Sequence, residues 1–60
     1  MGFLAELVPF LVSVLNQAPA LIEDVKKIWA IATAATPPTV DQQAAIDAAL
    51  EQAHKDLQAS

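Results

Sequence analysis

An apolar heptad that does not lapse between Leu4 and Ala35 constrains this chain more than any other feature. With Leu4 at position a, the a residues are Leu4, Leu11, Ala18, Val25 and Ala32, and the d residues are Leu7, Val14, Leu21, Ile28 and Ala35. The e residues Val8, Leu15, Ile22 and Trp29 are apolar as well, and Phe3, Phe10 and Ile31 fall at g. Side chains that recur at this interval return to one face of an α-helix. A face built from a, d and e is the broad stripe of a helix buried in a bundle, wider than a two-stranded seam. Strand-rich folds need turn glycines, and this chain has a single one, Gly2. The fold class is therefore all-α, in one domain spanning residues 1–60.

The prolines decide how the stripe is divided. Pro9 falls at f and Pro19 at b, both off the apolar face. A lost backbone hydrogen bond is best tolerated on the solvent side of a curved helix. The unbroken phase thus predicts one long helix over residues 3–35, kinked at Pro9 and Pro19. The alternative is a break near Asn16, with Asn16 as cap and Pro19 in the first turn of a new helix, giving a three-helix bundle. Thr36-Pro37-Pro38 ends the helical run, because a residue before proline is pushed toward extended geometry. Thr39-Val40-Asp41-Gln42 then has the capping-box form that opens a second helix, over about Val40 to Leu57. Its expected seam is Ile46, Leu50, Ala53 and Leu57.

Length turns this hairpin into an expectation about partners. A 33-residue helix is about 50 Å long and an 18-residue helix about 27 Å. Folded back from Pro37-Pro38, the second helix would cover Leu21, Ile22, Val25, Ile28 and Trp29. It would leave Phe3, Leu4, Leu7, Val8, Phe10, Leu11, Val14 and Leu15 bare. A patch of that size exceeds what a monomer usually shows to water. The chain also has no cysteine to staple a small core. The apolar N-terminal helix is therefore expected to be covered by further copies of the chain, or by another protein, in a homo-oligomeric helical bundle.

Charge narrows the partner further. The net charge is −4, with three lysines and no arginine, which disfavours nucleic acid and anionic membrane surfaces. The run Phe3–Leu15 contains Glu6 and Pro9 and is shorter than the roughly 20 apolar residues a spanning helix needs. Ala18-Pro19-Ala20 has the small-x-small form of a signal-peptidase site, but no lysine or arginine precedes the apolar run.

Few residues are equipped for chemistry. Glu51-Gln52-Ala53-His54 has the Glu-x-x-His spacing of helical di-metal centres. Only His54 borders the seam, however, and a Glu51–Lys55 pair on the solvent face explains the spacing equally. No metal or other cofactor is expected. Lys26 and Lys27, with Trp29 nearby and His54, are the only candidates for an anion site; Glu23–Lys27 pairing on the solvent face is the simpler explanation. With one histidine, no glycine-rich loop and no arginine or tyrosine, the chain is not expected to be an enzyme.

The stretch from Thr36-Pro37-Pro38-Thr39 through Ala53-His54-Lys55-Asp56-Leu57-Gln58 resembles the C-terminal helix of small phage and prophage proteins. That group pairs an apolar N-terminal helix with a proline-containing turn and an alanine-rich helix. The resemblance implies a viral, non-enzymatic accessory or interaction module, in the cytoplasm of a bacterial host or on a virion. Two other roles follow from the same features: an oligomer that sequesters a nucleotide signal through Lys26, Lys27 and His54, and a small membrane-inserting, holin-like protein.

Overall fold

A computed structural model describes residues 2–59. Among them the order is α1 (Phe3–Gln17), a single 3₁₀ turn (Pro19–Leu21), α2 (Ile22–Ala35) and α3 (Val40–Ala59), with no strand. The chain is all-helical, as its periodicity predicts. It does not form one helix over residues 3–35. A straight helix of that length would be about 50 Å long, whereas the longest dimension of the molecule is 36 Å.

The break falls at Ala18, two residues past the Asn16 of the alternative three-helix reading, and proline chemistry favours it. Ala18 precedes Pro19 and takes φ −140°, ψ 76°, outside the helical region. The Pro19 ring disfavours helical geometry at the preceding residue, and Pro19 has no N–H to return to Leu15. Asn16 remains within α1. The turn closes through Ala18 N–H to Val14 O (2.8 Å) and Leu21 N–H to Ala18 O (3.0 Å). Pro19 starts the 3₁₀ turn, a position where its missing donor costs nothing. Pro9 behaves differently. It lies inside α1 with its ring on the exposed side, and the helix runs on past it.

The second turn follows the sequence closely. Thr36 is extended at φ −135°, ψ 107°, ahead of Pro37-Pro38. The capping box then forms in both directions. The Gln42 N–H donates to Thr39 Oγ1 at 3.1 Å, and the Thr39 N–H donates to Gln42 Oε1 at 2.9 Å. Asp41 sits in the first turn of α3, where its charge suits the helix dipole.

With the chain bent at Ala18, α3 lies chiefly along α1, while the 3₁₀ turn seats against both. The core consists of Leu4, Leu11 and Leu15 from α1, Val25 and Trp29 from α2, and Ile46, Ala49 and Ala53 from α3. Each large side chain removed from water here contributes about 1.5–3 kcal/mol. On α3 the small Ala49 and Ala53 allow close approach of the neighbouring helix. Leu50 is only half-buried, and Leu57 is 41 % exposed, so the expected seam of Ile46, Leu50, Ala53 and Leu57 shifts by part of a turn.

One polar link ties α2 to α3. The Trp29 indole N–H donates to Gln43 Oε1 at 3.1 Å, and Gln43 Nε2 donates on to Asp47 Oδ1 at 2.9 Å. Trp29 is 7 % exposed, so its one donor finds a partner at the edge of the core. Thr33 Oγ1 donates back to Trp29 O at 2.8 Å, which ties its hydroxyl to the preceding turn of α2.

Candidate interaction face

The expected uncovered patch from Phe3 to Leu15 is largely covered within the chain. Leu4, Leu11 and Leu15 are buried against the chain's own helices, and Leu7, Val8 and Val14 are half-buried beside them. The expectation rested on a hairpin whose second helix reached only to about Pro19. Bending at Ala18 brings α1 back onto α3 and removes that limit. Val25, Trp29 and Ile46, expected where the two helices of the hairpin meet, are core residues, and Ile22 and Leu50 pack against the core.

What remains outside is a narrower surface. Phe3 is 63 % exposed and Phe10 60 %. Phe3, Leu7, Phe10 and Val14 follow one another at intervals of four, three and four, so they line one face of α1. This stripe is rotated about 100° from the direction of Leu4, Leu11 and Leu15. Of the heptad positions, a and e point into the core, while g and d form its outer flank. The same division holds beyond Ala18, where Val25 and Trp29 of α2 are buried while Leu21 of the 3₁₀ turn and Ile28 and Ile31 of α2 stay exposed. The sequence made a, d and e equivalent; packing against α3 separates them.

The α1 stripe carries no charge. Glu6 is the sole ionisable side chain on α1, and the remaining charges lie on α2 and α3. At 60 % exposure and above, the two phenylalanines leave about 250 Å² of ring surface in water. A monomer's largest apolar patch is of the order of 300–600 Å². With Leu7 and Val14 the α1 face reaches that range, where such patches commonly mark binding sites.

The residues singled out for chemistry do not assemble into a site. Lys26, Lys27 and His54 are all exposed, while the Trp29 indole is turned into the core and hydrogen-bonded to Gln43. The described residues enclose no pocket. Glu23 pairs with Lys26 at 3.8 Å rather than with Lys27, one position off the expected partner and equally adjacent on a helix. Glu51 pairs with Lys55 at 3.4 Å on the solvent face, as the spacing suggests. Among the described residues no group of three histidine or carboxylate side chains converges to hold a metal. Among the described residues no helix is long and apolar enough to cross a membrane.

Comparison with protein-family models, with curated proteins and with solved structures gives no match.

Proposed function

We propose that this chain is a non-enzymatic helical interaction module that pairs with a second copy of itself, α1 against α1, through Phe3, Leu7, Phe10 and Val14. The observation that carries this is the exposure of two phenylalanines on an α1 stripe that itself holds no charged side chain and is bordered by the single carboxylate of Glu6. An apolar stripe of Phe3, Leu7, Phe10 and Val14 at intervals of four and three suits a two-fold pair, in which one patch meets its own copy. Two chains of net charge −4 repel as wholes. Pairing through α1 keeps the acidic residues of α3 out of the contact.

The area sets the strength. The four phenylalanines of a pair supply about 500 Å², roughly half the 1,000 Å² of a specific interface. Leu7, Val14 and the flanking residues supply the remainder. The pair is therefore a weak, concentration-dependent dimer rather than an obligate one. An origin in a phage or prophage, and with it a place in the host cytoplasm or on a virion, is part of this proposal. It rests on the resemblance of residues 36–58.

Light scattering coupled to size exclusion, without detergent and over a concentration series, tests the pairing. The unaltered chain should move from its 6.3 kDa monomer mass toward twice that value. Phe10→Glu should remain monomeric with an unchanged helical circular dichroism spectrum. A chain monomeric up to millimolar concentration, or a Phe10→Glu variant that still associates, would overturn the proposal. Material recoverable only in detergent would make lipid the occupant of this face instead.

A further inference from the structure

The heptad keeps its phase across a break that did not require it to. In the folded chain, α1 and α2 are separate helices that contribute buried residues to one core, and a shared core does not require a shared heptad phase. Yet Leu4, Leu11, Val25 and Ala32 all occupy a, and Val8, Leu15, Ile22 and Trp29 all occupy e, on either side of Ala18. A helix that ran straight through Ala18 and Pro19 would carry all of these side chains on one continuous face. The joint is short: one non-helical residue and a single 3₁₀ turn separate α1 from α2. The element that would leave is also docked in a particular way. α1 packs chiefly on α3, which lies beyond α2 in the chain, and less extensively on α2 itself.

From these three observations we infer that Ala18-Pro19 is a hinge between two arrangements of the chain. One is the closed monomer. In the other, α1 and α2 straighten into a single helix, and α1 docks on α3 of a second copy, which returns its own α1. The exchanged dimer remakes the core of Leu4, Leu11 and Leu15 with Ile46, Ala49 and Ala53, now supplied by the partner chain. Exchange of an identical element between protomers is a low-cost route to a dimer, and a short hinge favours it. Pro19 is the residue that holds the hinge shut. At the first position of the 3₁₀ turn it costs nothing, but inside a straight helix it removes a hydrogen bond and meets the Leu15 carbonyl. Each proline disfavours straightening by about 100-fold, and an exchanged dimer contains two hinges. This inference does not rest on pairing through the phenylalanine face.

Both chains used to test it carry Phe10→Glu, so that pairing through the exposed face is absent. Adding Pro19→Ala should produce a slowly forming, concentration-dependent dimer, with a dissociation constant about 10,000-fold below that of the single variant, from about 100-fold at each of two hinges. Nuclear Overhauser contacts filtered for mixed isotope labels should then join α1 methyl groups of one chain to α3 methyl groups of the other. A Pro19→Ala chain that stays monomeric, or a dimer with no α1-to-α3 contact between chains, would overturn the inference. Should Pro19→Ala not fold, refolding of the Phe10→Glu chain at millimolar concentration decides the matter. A trapped dimer that persists on dilution supports the hinge, and recovery of monomer alone overturns it.

Discussion

Leu11 and Phe10 are neighbours in sequence, and the structure gives them opposite roles, so truncating each in turn tests the arrangement of α1. Leu11 is 0 % exposed at the centre of the core, and Phe10 is 60 % exposed beside it. Leu11→Ala removes buried methyl groups and leaves a cavity among Leu4, Leu15, Ile46 and the other core residues. Substitutions of this kind cost about 2.7–5 kcal/mol in well-packed cores. A chain of 60 residues is expected to have a total stability of only about 3–9 kcal/mol. The loss therefore runs from about a third of the stability to all of it. Phe10→Ala removes a ring that already spends most of its surface in water, and it replaces a weaker helix former with the strongest one. Its cost is about 1 kcal/mol or less. Urea titration followed by circular dichroism, at a concentration low enough to keep every variant monomeric, measures both. Leu11→Ala should lower the midpoint steeply or leave the chain largely unfolded without denaturant, while Phe10→Ala should barely move it. If the two variants lost similar stability, or if Leu11→Ala cost less than about 1 kcal/mol, α1 would not be folded onto α3 within one chain. The long-hairpin arrangement, with both residues in an interface between copies, would then be restored.

Other substitutions check other parts of the fold. Thr39→Ala removes the hydroxyl that accepts the Gln42 N–H at 3.1 Å, and should cost about 1 kcal/mol in the same titration. Ala53 is 2 % exposed on the α3 seam; Ala53→Leu should cost about 1–3 kcal/mol by forcing α3 away from the helices it packs against. The first would be answered by an unchanged midpoint, the second by an equal or raised one.

The candidate face was only partly legible before the fold was known. Phe3 and Phe10 stand out in the sequence, but so do Leu4, Leu11 and Leu15, and nothing in the periodicity ranks one set above the other. An exposed aromatic stripe on a flank is found only by knowing where the third helix lies. The anion set of Lys26, Lys27 and His54 shows the converse. His54 lies far along the chain from Lys26 and Lys27, so their grouping rested on residue type alone, and the fold leaves all three on the exposed surface.

The sequence by itself determined the helical class, the turn at Thr36–Thr39 with its reciprocal cap, and the Glu51–Lys55 pair. All of these depend on groups at most four residues apart, and local chemistry settles them. Only the tertiary structure decided between Ala18 as a kink and Ala18 as a corner. A heptad records which side chains share a face of a helix and is blind to whether the axis continues, so the phase across Pro19 suits a straight rod and a folded bundle alike. Pro19 disfavours helical geometry at Ala18, and the corner this permits is held because α3 offers α1 a buried seam within the same chain, at no cost in concentration. That same corner made Ala49 a core residue, left Leu57 at the surface, and left Phe3 and Phe10 in water.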